Sequence, residues 1–303
     1  MELTLWAVVA VALFFDFTNG FHDTANSIAT SVSTKALSPR AAVASAAVLN
    51  FAGAFVSVAV AATIATGIVD QDAITLDIVL AGLVGAITWN LITWFVGLPS
   101  SSSHALIGGM IGSAVAAEGI YVVQWQGVLD KVLIPSVIAP ILGIAIAFLL
   151  ILGITWLIAR RSPEKVNRVF RRAQLVSGGF VAFTHGTNDA QKTMGIIALA
   201  LVASGHLSAD FDRPPTWVIA SSALAMALGT YVGGWRIIRT LGTRIAKIDT
   251  PQGFAAQTAC ASILFGTAHF GFPVSTTQTI SGSVLGAGAI RVPSVRMMRQ
   301  PPA

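Results

Sequence analysis

The sequence predicts an all-α polytopic membrane protein of two inverted repeats, whose broken or hairpin helices meet at mid-membrane. Three observations carry this. The 303 residues are 54% hydrophobic and only 10% charged, against roughly 25% charged in soluble domains. Four long runs carry no charge: Ala41 to Val69, Val132 to Ala159, Pro214 to Trp235 and Thr250 to Ile290. Each holds a helix of about 20 residues that crosses the hydrocarbon core, and the last has room for two. Finally, two polar motifs occur twice in the same order, the mark of a carrier with its site between repeats. Strand-like alternation is absent, so helices rather than a barrel satisfy the backbone in lipid.

Charge sets the order of the elements. Lys35 and Arg40 mark one loop as cytoplasmic. Arg160, Arg161, Lys165, Arg168, Arg171 and Arg172 mark a second, and Arg236, Arg239, Arg244 and Lys247 a third. Asp70, Asp72 and Asp77, then Asp210 and Asp212, fall in loops expected outside. Leu3 to Ser33 therefore runs inward, with a break expected at Gly20. Ala41 to Thr66 runs outward and Ile78 to Gly97 returns. The short Ser/Gly-rich segment Pro99 to Ala117 crosses on balance, starting as a re-entrant turn, and Val132 to Ile158 ends inside. Five crossings are odd, so the next repeat is inverted. Ala173 to Ala203 runs outward, Trp217 to Trp235 inward, Gly253 to Ala268 outward, and Pro273 to Ile290 returns to Arg291. The expected divisions are a first repeat at 1–159, a basic cytoplasmic loop at 160–172 and a second repeat at 173–303. The second repeat has no counterpart of Val132 to Ile158: a final helix is lost, truncated or supplied by another subunit.

Other classes are excluded at this stage. The net charge of +5 sits in short loops, as the positive-inside rule requires, and is no nucleic-acid signal. Cys260 is the single cysteine, which rules out a disulfide framework or thiolate cluster. Met1 to Asn19 begins with Glu2 rather than a basic segment and runs into the first polar motif, unlike a signal peptide.

The first motif is Gly20-Phe21-His22-Asp23-Thr24-Ala25-Asn26, echoed 166 residues later by Gly186-Thr187-Asn188-Asp189-Ala190-Gln191-Lys192. In a helix, Asp16, Asn19, Asp23, Asn26 and Thr30 share one face. Gly20 is expected to unwind the helix and free carbonyls for a cation. Intramembrane Ser, Thr and Asn often do no more than bond helices together. A carboxylate there is costly and marks function by default, which singles out Asp23 and Asp189. Lys192 could pair with Asp189, touch an anion or balance charge.

The second motif is Gly97-Leu98-Pro99-Ser100-Ser101-Ser102-Ser103-His104, echoed 174 residues later by Gly271-Phe272-Pro273-Val274-Ser275-Thr276-Thr277-Gln278. Proline suits a first helical turn, and the free N–H groups and dipole that follow attract an anion. Ser101, Ser102, Ser103, Ser275, Thr276 and Thr277 add neutral donors. Two such starts would wrap a tetrahedral oxyanion from both sides. Gly108 to Gly112 and Gly282 to Gly286 share the 174-residue offset and are read as close helix packing. Arginine is missing from both motifs, so two aspartates would repel an anion in low dielectric. The anion must arrive with cations or protons, which predicts symport.

Asn19 to Asn26 (NGFHDTAN), His185 to Gly195 (HGTNDAQKTMG), LPSSSSH and FPVSTTQ closely resemble the signatures and hairpin tips of the inorganic phosphate transporter (PiT) family of secondary carriers. The resemblance runs from about Asp16 to Gly288. It implies a multi-pass carrier of the cell (plasma) membrane, not an enzyme, that imports inorganic phosphate with a cation. It implies that the six tip hydroxyls hold phosphate, and that Asp23, Asn26, Asn188 and Asp189 handle the coupling ion and phosphate. His104, Lys192 and Gln278 are further candidates. His22 stands where many members have Asn. Members with His look like the proton-coupled group that carries phosphate as a neutral complex of Mg²⁺ or another divalent metal, and a histidine titrating near neutral pH suits that role. No cofactor or fixed metal site is expected. The partners are phosphate and the bilayer, not nucleic acid, and a homodimer is compatible with the pattern. Sodium coupling and a related sulfate permease are the alternatives. An intramembrane hydrolase built on Ser103 and His104, or on Asp23 with Asp189, is remote: neighbours on a helix point about 100° apart, and hydrolysis gives no reason for a duplicated tip.

Overall fold

The computed structural model describes residues 2–70, 73–208, 210–240 and 248–290. Asp72, Arg244, Lys247, Arg291, Arg296 and Arg299 lie outside the described residues. Those described form helices and loops, without a strand. Two long helices make the centre: α1 (Glu2–Ser33) and α8 (Pro163–Ala203). Every residue of α1 from Thr18 to Ser31 is buried, as is every residue of α8 from Thr184 to Leu201. A helix covered all round is a core helix. The polar motifs therefore face protein rather than lipid, which lets so many of them sit in one helix.

The break expected at Gly20 is not there: α1 runs unbroken past it. Gly20 serves a helix crossing instead. A Cβ at Gly20 would stand 2.4 Å from the Met226 carbonyl oxygen of α9 (Thr216–Val232), and one at Gly229 would stand 2.1 Å from that of Phe17. The other half repeats the arrangement. A Cβ at Gly186 would meet the Asn50 carbonyl of α2 (Pro39–Gly53) at 2.1 Å, and one at Gly53 would meet Phe183 at 2.0 Å. The breaks fall in these partner helices. Residues 54–58 separate α2 from α3 (Ala59–Thr66), and Gly233 and Gly234 separate α9 from α10 (Trp235–Thr240). Gln191 of α8 satisfies the first gap, its Oε1 accepting from the amides of Val60 at 2.8 Å and Ala61 at 3.3 Å.

Two hairpins complete the site. One joins α4 (Leu76–Val96) to α5 (Ser102–Glu118). After the single turn α6 (Trp125–Val128) and the long α7 (Ile134–Ile158), the other joins α11 (Thr250–His269) to α12 (Thr276–Gly288). The first arms end alike. Gly97 and Gly271 take left-handed φ values of 70° and 74°, and the next amides, of Leu98 and Phe272, bond back to Thr93 and Thr267 at 2.8 and 2.9 Å. This is the glycine stop of a helix. The second arms start alike: Ser101 Oγ accepts from the His104 amide at 3.2 Å and Ser275 Oγ from the Gln278 amide at 3.3 Å, each an N-cap.

The paired GxxxG motifs differ. Gly282 and Gly286 let α12 lie against α7, where a Cβ would meet the carbonyls of Pro140 at 2.4 Å and Ile144 at 2.2 Å. Gly108 and Gly112 have nothing within 4 Å, and Gly109 makes the close approach to Gly82 instead. By length and composition, Glu2–Ser33, Leu76–Val96 and Trp125–Ile158 are apolar enough to cross a membrane.

Candidate functional site

The two tips meet between α1 and α8, tied by reciprocal bonds. Thr277 Oγ1 donates to the Ser100 carbonyl at 2.9 Å, and Ser103 Oγ donates to the Val274 carbonyl at 3.4 Å. These pairs carry the same 174-residue offset as the motifs, 100 with 274 and 103 with 277. The central helices hold the tips in the same mirrored way. Asn26 Nδ2 donates to Thr277 Oγ1 at 2.9 Å, and Lys192 Nζ to Ser103 Oγ at 2.5 Å. Asn26 and Lys192 are themselves 166 residues apart.

The six tip hydroxyls divide. Ser101 and Ser275 accept the capping bonds, which leaves each hydroxyl proton free to donate, and Ser102, Ser103, Ser275, Thr276 and Thr277 are buried. Because each cap takes the third amide of its helix, the first-turn N–H groups of Ser102, Ser103, Thr276 and Thr277 keep no partner within the helix. His104 is half-buried and Gln278 exposed. With Gly85, Trp89 and Gly108 they line an open groove on the outer side of the tips. Ser103 and His104 therefore face different ways, and the pairing a hydrolase would need is not formed.

Each carboxylate has its own partners. Asp23 Oδ1 lies 2.7 Å from His22 Nδ1, and His22 Nε2 lies 3.0 Å from Thr93 Oγ1 and 3.5 Å from Ser100 Oγ. Asp189 Oδ1 pairs with Lys192 Nζ and accepts from Thr276 Oγ1 at 3.4 Å. Its Oδ2 faces His185 Nε2 at 3.1 Å.

That last contact constrains the chemistry. Asn50 Nδ2 donates to Thr230 Oγ1 at 2.9 Å, which turns Asn50 Oδ1 toward His185 Nδ1 at 3.2 Å. His185 Nδ1 is thus the donor, and a neutral imidazole then directs the lone pair of Nε2 at a carboxylate oxygen. Two such atoms attract only through a positive charge between or beside them. Asp23, His185 and Asp189 each offer one ligand atom, all within 4.8 Å of one another and all buried, a donor set that suits a cation.

Several buried atoms here have no hydrogen-bond partner among the described residues: Ser102 Oγ and both polar atoms of the Asn188 side chain. Unmade bonds at buried polar groups cost about 1–3 kcal/mol each; the oxygens of an anion would answer the Ser102 hydroxyl and Asn188 Nδ2, and a cation would answer Asn188 Oδ1. Sequence reading had not singled out His185, Thr93, Ser100 or Gln191. His185 and Gln191 stand inside the quoted second signature, and Ser100 inside the tip motif. Thr93 had no signal, since only the fold brings it to His22.

The profile of the phosphate transporter family matches residues 19–300. Proteins bearing the name probable low-affinity inorganic phosphate transporter are similar over most of the chain. The one from Mycobacterium tuberculosis is 54% identical over 94% of this chain and 68% of its own length. Those from Rhizobium meliloti and Bacillus subtilis are 49% and 48% identical, over 95% and 93% of this chain and 86% and 85% of theirs. Among solved structures, one described as the sodium-dependent phosphate transporter matches with a TM-score of 0.85 at 25% identity, covering 98% of this chain and 92% of its own.

Proposed function

Because this chain belongs to the phosphate transporter family, shown by its match over residues 19–300, we propose that it imports inorganic phosphate across the plasma membrane by symport with a cation. The observation that carries this reading is the meeting of two helix starts at a buried point flanked by Lys192, Asp23 and Asp189. The first-turn amides of Ser102, Ser103, Thr276 and Thr277 and the free Ser102 hydroxyl hold the phosphate oxygens, the hydroxyls of Ser103, Thr276 and Thr277 turning to them from Val274, Asp189 and Ser100, with the α5 and α12 dipoles favouring negative charge. Asn26 and Asn188 complete the shell. Lys192 gives one positive charge against two carboxylates, so phosphate adds to a site already short of positive charge and needs a cation beside it. Asp23, His185 and Asp189 are where that cation binds.

The coupling ion is read as a proton, with phosphate travelling as a neutral metal complex, because His22 and His185 each stand against a carboxylate. The sodium reading keeps one specific support, the likeness to a sodium-dependent phosphate transporter. The mirrored crossings at Gly20 and Gly186 and the mirrored tip bonds support a division into repeats at 1–159 and 173–303, inverted in the membrane; the basic stretch expected as a loop at 160–172 is instead mostly the first turns of α8, which starts at Pro163.

Labelled-phosphate uptake into proteoliposomes tests this, under a proton gradient or a sodium gradient, with and without Mg²⁺. Uptake driven by protons and raised by Mg²⁺ is expected. Uptake driven by sodium alone would replace the proton reading, and sulfate competing as well as phosphate would move the substrate to a broader oxyanion class.

A further inference from the structure

We infer that Asp16 is a proton-binding residue of the transport cycle, on the outer side of the Asp23 and Asp189 pair; this rests on the proton-coupled reading above. Asp16 is fully buried in α1, and neither carboxylate oxygen has a hydrogen-bond partner among the described residues. The other buried carboxylates differ: Asp23 has His22, and Asp189 has His185 and Lys192. Thr193 and Asn19 face Asp16 within reach of a loose hydrogen bond, but none of ordinary length and angle forms: Thr193 Oγ1 and both polar atoms of Asn19 have no such partner.

An ionised, unpaired carboxylate in a protein interior is costly enough that it takes up a positive charge. The surroundings favour a proton over a metal ion. α1 and α8 are unbroken at this level, so their carbonyls are spent on helix bonds. That leaves the two oxygens of Asp16, Asn19 Oδ1 and Thr193 Oγ1, whereas a hard cation such as Ca²⁺ or Mg²⁺ takes about six oxygens or more. A proton needs one oxygen, and the carboxyl it makes is a donor that Asn19 Oδ1 or Thr193 Oγ1 accepts. Asp16 precedes Asp23 by seven residues, about two turns and about 10 Å toward the end of α1 that the loop charges place outside.

The charges acting on Asp16 are those of Asp189 and Lys192. Elsewhere, α1 itself carries Glu2, His22 and Asp23, and α8 carries His185 and, in its first turns, Glu164, Lys165, Arg168, Arg171 and Arg172. Of the other helices packed on α1, α9 carries Tyr231, α4 Asp77, α2 Arg40, α10 Arg236 and Arg239, α5 His104 and Glu118, and α11 Cys260 and His269; α12 carries none. A proton taken by Asp16 from external water is released to the cytoplasm when the carrier opens inward, leaving the carboxylate to be recharged from outside.

The test is Asp16→Asn in the full chain in proteoliposomes, because the amide copies the protonated shape but cannot cycle. Phosphate exchange at equal pH on both sides should persist. Accumulation under a one-unit pH gradient should fall by about tenfold, since one coupled proton supplies 1.36 kcal/mol per pH unit, and the pH profile of uptake should flatten. Asp16→Glu should restore both. Proton-driven accumulation by Asp16→Asn with an unchanged pH profile would overturn the role of Asp16 and leave the coupling reading standing. Wild-type accumulation that follows sodium alone sinks the coupling reading and this inference with it. Loss of exchange in Asp16→Asn that Glu does not rescue marks a structural residue, and also overturns it.

Discussion

Asn26 and Lys192 do the same work from opposite helices: each donates to the third residue of the far hairpin tip, Thr277 at 2.9 Å and Ser103 at 2.5 Å. The geometry is mirrored but the charge is not. An amide stands in one half and an ammonium in the other, so Asp189 has a built-in counter-ion that Asp23 lacks. Lys192→Asn would equalise the halves. It should leave Asp189 buried without its cation, a change typically costing about 3–5 kcal/mol where a buried pair is broken. We expect uptake to fall at least about tenfold at low cation concentration and to recover partly as the driving cation is raised. Uptake measured against cation concentration checks this; a parallel loss at every concentration would mean that Lys192 serves only to hold the tip.

The tip hydroxyls should separate into two groups. Ser103→Ala and Thr277→Ala each remove a hydroxyl that bonds the tips together in this state and turns to phosphate when it binds, and should raise the KM for phosphate by about tenfold, or about 1.4 kcal/mol. Ser101→Ala and Ser275→Ala remove caps, worth about 1 kcal/mol of stability. They should lower the melting temperature in detergent more than they raise KM. Kinetics and thermal melts on the four variants decide it.

Gly229→Ala should be poorly tolerated, because its Cβ would stand 2.1 Å from the Phe17 carbonyl oxygen. Pushing α9 off α1 should cost about 1–3 kcal/mol or more, as overpacking does. Gly108→Ala, with nothing within 4 Å, is the neutral control. Folded yield by size-exclusion chromatography distinguishes the pair.

Gln191→Leu should strip the acceptor from the amides of Val60 and Ala61, leaving two buried donors unmet at about 1–3 kcal/mol each. Gln191→Glu, which keeps an acceptor oxygen, should recover much of the loss. Equal damage from both would show that the side-chain NH₂ matters more than the cap.

His22→Asn should reduce the pH dependence of uptake, since it removes the imidazole that stands against Asp23. Its contacts with Asp23 and Thr93 put it on one carboxylate and one hairpin arm together. Full pH dependence in the variant would remove His22 from the coupling path.

What the sequence made legible is the part that repeats. The membrane class and the four motifs could be read because duplication separates signal from the chance clustering of Ser and Asn. The misplaced break at Gly20 shows the limit. Glycine in a helix reads locally as weakness, yet here it answers to Met226 and Gly229, which only the tertiary fold brings near. His104 and Gln278, the third residues of their helices, lie half-buried and exposed along one open groove, a placement that motif spacing alone did not give. His185 was visible as a letter, but its role depends on Asn50 fixing which ring nitrogen donates, a relation 135 residues long.

The unbroken course of α1 and α8 has a further consequence. Both run as single α-helices, and neither has a proline beyond its first residue, which removes one common cause of a kink. The carboxylates of Asp23 and Asp189 thus ride on two stiff rods locked by glycine crossings, while the breaks lie in neighbouring pieces. Their spacing behaves as a fixed gauge, so guests are sorted by whether they fit it and not by how far it yields.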